Sequence, residues 1–218
     1  MTDFASRRVT MVDTQVRPSD VTKFTIIDAM LEVPREEFVP DTKRELAYVG
    51  GPIEIAPHRQ LLDARSTAKM LDALELEPTD VVLEIGSGLG YITALLARMT
   101  EAVVALEEDG ELAAEAEATL GAQGVVNAAV ITGPLPEGAA KHGPFDAIVI
   151  SGGVEEVPTS LYDQLKPGGQ IIAIFMEGAL GEVRIGFKSP EGHVSWRMEF
   201  NATAEVLPGF ARAPSFVF

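Results

Sequence analysis

Between Leu83 and Ala97 the chain reads LEIGSGLGYITALLA. Gly86, Gly88 and Gly90 leave this bend without side chains, so a ligand can reach the backbone and φ can turn positive. The helix-like stretch that follows would aim free N–H groups at a carboxylate or phosphate. Two acids frame the bend. Glu84 stands just before it and would repel a pyrophosphate while suiting an ammonium group. Glu107 follows the apolar run VVAL, about 20 residues on, where a carboxylate can accept both hydroxyls of a ribose. The order Gly86-Ser87-Gly88-Leu89-Gly90 also departs from the G-x-G-x-x-G spacing of dinucleotide sites. A nucleoside that carries an ammonium, a carboxylate and a sulfonium, S-adenosylmethionine, meets these demands better than a dinucleotide does.

Such a bend must sit between a strand and a helix, and the flanking sequence alternates accordingly. Strands are expected at 80–86, 102–108, 127–133, 145–153 and 170–175, with helices at 90–99, 110–124 and 158–169. The helix at 110–124 should end near Gly121 or Gly124, and the one at 158–169 at Pro167-Gly168-Gly169. The nearly continuous apolar run FDAIVISGG suits a strand buried on both faces. Strands separated by helices of this length imply a Rossmann-like, doubly wound α/β fold with a mostly parallel sheet. Two alternating segments, 182–188 and 193–200, joined by SPEG, predict a C-terminal antiparallel hairpin with one buried face on the edge of that sheet. Upstream, residues 6–40 read as helices broken by Pro18, Pro34 and Pro40. Ser19 or Asp20 would cap a helix that carries Val21, Phe24, Ile27 and Leu31 on one side. A turn and short strand at 47–55 lead to a helix at 64–76, with Ala64, Ala68, Leu71 and Leu74 on one face.

The 218 residues suit one domain, 1–218, with an N-terminal helical cap and acceptor-side segment (1–60) and a Rossmann-like core (61–218). Apolar residues make up 46% and charged ones 23%, as in folded soluble chains. A net charge of −16 opposes a phosphate backbone, which argues against a nucleic-acid partner. Apolar runs stay well short of the roughly 18 residues of a membrane helix, and the first residues lack the apolar core of a secretory signal, so the expected location is the cytoplasm. Without cysteine there is no disulfide, thiol nucleophile or cysteine-based zinc site. His58, His142 and His193 are not at metal-ligand spacing, and no metal is expected.

VLEIGSGLGYITALLA, FDAIVISGG and VPTSLYDQLKPGGQIIAIF, together with the N-terminal MVDTQVRP, AMLEVPREEFVP and AYVGGPIEI, resemble the protein-L-isoaspartate O-methyltransferase family over roughly residues 8–177. The glycine bend alone fits many class I methyltransferases; VPREEFVP followed by AY and P-I-x-I is far more specific. The resemblance implies S-adenosyl-L-methionine as cofactor and S-adenosyl-L-homocysteine as product. It also implies isoaspartyl residues of damaged proteins or peptides as substrate, methylated on the side-chain carboxylate. The ester collapses to a succinimide that reopens in part as normal aspartate. The expected cofactor residues are Glu84, Gly86, Ser87, Gly88, Tyr91, Glu107, Gly133 and Ser151. A carboxylate is already a nucleophile and a sulfonium already a good donor, so alignment in a dry pocket would supply most of the catalysis.

The acceptor loop departs from the family's pattern, which is close to GHGQTISQPY. Here it reads APHRQLLDAR, residues 56–65. Gln60 and Leu62 stand where the family has its threonine and serine, Asp63 and Ala64 replace Gln-Pro, and His58 or Arg59 is left to pair with an anionic acceptor. The alternative for Arg59 and Arg65 is a solvated charge beside a helix, and for Leu61 and Leu62 a place in the core or pocket wall. Gly50 replaces the family's aspartate after AY, and Gly133-Pro134-Leu135 replaces Gly-Asp-Gly, removing a polar contact to adenine. Ser151 to Gly153 are expected to turn at the rim where ligands bind. These changes leave open a methyltransferase for another acceptor, or a non-catalytic protein that binds S-adenosylmethionine or S-adenosylhomocysteine.

Overall fold

The computed structural model describes residues 3–212; of the C-terminal FARAPSFVF, the last six residues lie outside them. The N-terminal third runs α1 (Phe4–Met11), a π turn (Val12–Val16), a 3-10 turn (Arg17–Ser19), α2 (Phe24–Glu32), two further 3-10 turns, then strands β1 (Ile53–Ala56) and β2 (Arg59–Leu61) and helix α3 (Ala64–Ala73). The alternating core follows as β3 (Val81–Ile85), α4 (Tyr91–Ala97), β4 (Ala102–Glu107), α5 (Gly110–Ala122), β5 (Ala128–Thr132), β6 (Phe145–Val154), α6 (Thr159–Tyr162), β7 (Leu165–Glu177), β8 (Leu180–Lys188) and β9 (Val194–Asn201).

Seven strands form one sheet in the order β5-β4-β3-β6-β7-β8-β9, while β1 and β2 pair separately. The first five are parallel and the β7–β8–β9 edge is antiparallel. The expected fold class is therefore the observed one. Successive side chains of each parallel strand go to opposite faces, and two cores result. Val82, Val103, Val149 and Ile172 pack under α2, α3 and α4, whereas Leu83, Leu106, Ile148 and Ile171 pack with Leu161, Leu207 and Phe210. The chain leaves β3 to go one way to β4 and β5, then returns to β6 on β3's other side. The bends after β3 and β6 thus flank the switch point, where open α/β sheets bind ligands.

Four segments differ from the sequence expectation. Helix α2 begins at Phe24, because the Ser19 hydroxyl donates back to the Gln15 carbonyl (2.8 Å) and Asp20 takes a left-handed φ of 65°. Phe24 is then 85% exposed, and Ile26, Ile27, Ala29 and Met30 make the buried face. Helix α6 is a single turn, since Leu165 already pairs with Phe145 in the sheet. The Lys188 ammonium donates to the Tyr162 and Leu165 carbonyls (2.8 and 2.7 Å) and satisfies them. Ser151 to Gly153 continue strand β6 with an irregular register rather than turning. Finally, β9 does not bury one face. A bulge around Glu199, where Val183 faces Phe200 and Arg184 faces Met198, sends Phe200 into one core and puts Trp196 edge-on against Phe175 (4.8 Å) on the other.

Candidate functional site

Glu84 is the penultimate residue of β3, and its side chain is fully buried. One carboxylate oxygen accepts from the Thr93 hydroxyl (2.5 Å), the other from the Ser151 hydroxyl (2.7 Å). Burial disfavours its charge more than these two donors support it, and its pKa is pushed up to about 7. The bend then turns through Gly86, Gly88 and Gly90, all with positive φ (78°, 55° and 91°). The Gly86 and Ser87 amides donate to the Leu106 carbonyl (2.8 and 3.2 Å), which ties the bend to β4. The Ser87 hydroxyl is buried and finds no hydrogen-bond partner among the described residues. Tyr91 opens α4, fully buried, its ring edge-on to Phe38 (5.9 Å) and beneath the Arg35 guanidinium (4.8 Å).

Glu107 ends β4, also fully buried, and its carboxylate gathers five donors. Arg59 holds it bidentately, Nη1 to Oε1 at 2.5 Å and Nη2 to Oε2 at 2.6 Å. The amides of Gly88 (2.7 Å), Glu108 (2.8 Å) and Asp109 (3.1 Å) supply the rest. The alternative that Arg59 is a solvated charge is corrected here: its side chain is 8% exposed and paired with Glu107, because a buried carboxylate is a strong partner for a guanidinium. His58 is largely exposed at the tip of the β1–β2 hairpin, with a left-handed φ of 58° and its Nδ1 4.0 Å from Glu205.

Leu62 is 1% exposed in the core under α3, and its carbonyl accepts from Arg35 Nη2 (2.6 Å) while Arg35 Nε reaches the Ala47 carbonyl (2.7 Å). It presents a wall, not a functional group. Asp63 does not face the site; its side chain accepts from the Ser66 amide (2.9 Å) and caps α3. Gln60 lines the small space beside the glycine bend and also a groove of about 380 Å³ bounded by Pro52, Met176, Thr203, Glu205 and Val206. Gly133 follows β5 and donates its amide to the Glu107 carbonyl (3.1 Å). The structure thus brings together Gln60, Glu84, Gly86, Ser87, Gly88, Tyr91 and Ser151 around one small space, with Glu107 and Arg59 joined to Gly88, and Leu62 lines that space only as an apolar wall. Sequence reasoning missed Thr93, Arg35, Ile55 and Leu207. Thr93, a hydroxyl in the first turn after the bend, is the one with a readable signal.

A family model described as protein-L-isoaspartate(D-aspartate) O-methyltransferase (PCMT) matches residues 7–196. A protein-L-isoaspartate O-methyltransferase of Koribacter versatilis is 38% identical over 172 residues, 79% of this chain and 78% of its own length. The chain belongs to the protein-L-isoaspartate O-methyltransferase family. Solved structures agree on the fold. One protein-L-isoaspartate O-methyltransferase superimposes with a TM-score of 0.80 at 23% identity, over 93% of this chain and 66% of its own. A Plasmodium falciparum protein of the same description, solved in complex with S-adenosyl-L-homocysteine, gives 0.79 at 20% identity, over 95% and 99% of the two chains.

The bend suits a nucleoside in part. It has bare backbone, an orphaned Ser87 hydroxyl and acids at two strand ends. The space above it does not suit one. A Cβ built on Gly88 would lie 2.5 Å from Ile55 Cδ1, and one on Gly86 2.8 Å from Leu207 Cδ1. The space beside the bend under Ile55, bounded by Gln60, Leu62, Glu84, Tyr91 and Ser151, is about 10 Å³, against the roughly 300 Å³ or more of pockets that hold small ligands. In this arrangement Ile55 and Leu207 stand over the bend and Arg59 occupies the Glu107 carboxylate.

Proposed function

We propose that the chain is an S-adenosylmethionine-dependent carboxyl methyltransferase of the isoaspartyl-repair type, acting in the cytoplasm on damaged proteins or peptides. The observation that carries this reading is the glycine bend at the sheet's switch point, backed by Glu84 and Glu107, in a chain of this family. The roles assigned are those of its own residues. Gly86 and Gly88 offer backbone without side chains, Ser87 a free hydroxyl, Glu107 a ribose-accepting carboxylate, and Glu84 with Ser151 a polar floor. The groove beside Gln60 is the acceptor side. It joins the bend at Gln60 and is walled on its other side by Thr203 to Val206. Among the described residues no helix is long and apolar enough to cross a membrane, and no group of three or more His, Cys, Asp or Glu is placed to hold a metal.

A second reading keeps the cofactor and changes the acceptor. It is favoured by Leu62, which puts a buried methyl pair where the family carries a hydroxyl. Incubation with methyl-labelled S-adenosylmethionine and an isoaspartyl peptide separates the two. Base-labile methyl ester on that peptide, absent from its aspartyl twin, supports repair. Cofactor binding without ester supports the second reading.

A further inference from the structure

We propose that Arg59 sets the affinity of the cofactor site by standing in for the nucleoside ribose on Glu107, so that a ligand must displace it to bind. The inference rests on the methyltransferase reading above and deepens it. A carboxylate has about four lone-pair positions, and the five donors on Glu107 use them all. A diol has nowhere to bond until the guanidinium leaves. Two apolar side chains reinforce the block, Ile55 over Gly88 and Leu207 over Gly86 and Gly152. Leu207 is held there by main-chain bonds, its own amide to the Gly153 carbonyl (2.9 Å) and the Gly153 amide to the Glu205 carbonyl (2.8 Å).

The element able to move is the one that carries Arg59 and Ile55. Strands β1 and β2 have four and three residues, pair only with each other and stay outside the seven-stranded sheet. The root of this hairpin is anchored in the core by Ile53 and Leu61, while its tip at Pro57 and His58, next to Arg59, is exposed, so the opening is confined to the tip. The glycine bend and Glu107 belong to the parallel sheet and stay in place. The closed arrangement therefore lowers the apparent affinity by the fraction of molecules that are open, and the Arg59–Glu107 pair is its polar clasp.

The test measures S-adenosylhomocysteine binding to the full chain by calorimetry, and melting temperature with and without that ligand, for wild type, Arg59→Gln, Arg59→Lys and Leu207→Ala. Arg59→Gln should bind at least tenfold more tightly than wild type. Its ligand-free melting temperature should fall while its ligand-induced rise grows, a combination that a purely structural role for Arg59 would not give. Arg59→Lys keeps the charge but loses the planar fork and should gain a few-fold. It carries the test if Arg59→Gln does not fold. Leu207→Ala should also gain. Binding by wild type with equal or weaker binding by the Arg59 variants overturns the clasp and leaves the methyltransferase reading standing. Binding by none of the four proteins overturns that reading, and the clasp with it.

Discussion

Replacing Glu84 with glutamine should stabilise the protein at alkaline pH and leave it unchanged in acid. In the folded chain the carboxyl group is fully buried, and its pKa is pushed from 4.5 to about 7, first by burial, against the smaller pull of the Thr93 and Ser151 hydroxyls. Between those two values the folded protein holds a proton that the unfolded chain has released. Stability therefore falls as pH rises through this window and levels off above 7. Two and a half pH units at about 1.4 kcal/mol each give a penalty on the order of 3 kcal/mol. The substituted glutamine removes the charge and keeps the shape. Its carbonyl accepts from one hydroxyl, and its amide donates to the other, since a serine or threonine hydroxyl can turn to accept. Urea denaturation of both proteins at pH 5 and pH 8 cancels the other titrating groups, because they are common to both. The variant's advantage should grow by about 2–3 kcal/mol between the two pH values. An advantage that does not change with pH would show that Glu84 titrates like an exposed acid, and the reasoning from burial would fail.

Leu62→Ser, which restores the family's hydroxyl, should first of all cost stability. The side chain is 1% exposed, and truncating a buried leucine costs about 2–5 kcal/mol; a loss below about 1 kcal/mol in urea would place Leu62 outside the core. Arg35→Lys cannot hold the Ala47 and Leu62 carbonyls together and should lose about 1.5–3 kcal/mol for the bond it forfeits, with no loss meaning that this bridge does not support the acceptor loop. Asp13→Ala breaks an ion pair with Arg17 in which both side chains are about half exposed, and should move stability by no more than about 0.5 kcal/mol. A larger loss would mean that surface charges hold the N-terminal helices.

The sequence was most informative where a period or a bend repeats. The run VVLEI into three glycines, the apolar FDAIVI and the helix-length spacers specified the parallel sheet and its switch point, because a strand buried on both faces has to be apolar throughout. It was least informative where one residue chooses among partners distant along the chain. Ser19 could cap forward or bond backward, and only the Gln15 carbonyl decides. The length of α6 depends on Lys188, far along the chain, closing its last carbonyls. The alternation in β9 read as one face because a bulge changes no residue type. At the site, the carboxylates were legible from their positions at strand ends. Arg59 was legible only as a cation, and its partner lies 48 residues on. Leu207, in a segment with no periodic signal, gave no hint that it would cover Gly86.

The most direct test of the account is a crystal structure of the full chain with S-adenosylhomocysteine. The expected result is the ribose hydroxyls on Glu107, the nucleoside against Gly86 to Gly88, Arg59 and Ile55 moved aside, and the Leu207 side chain turned off Gly86 with its main-chain bonds kept. A nucleoside bound elsewhere, with the Arg59–Glu107 pair intact and Leu207 still over Gly86, would contradict it.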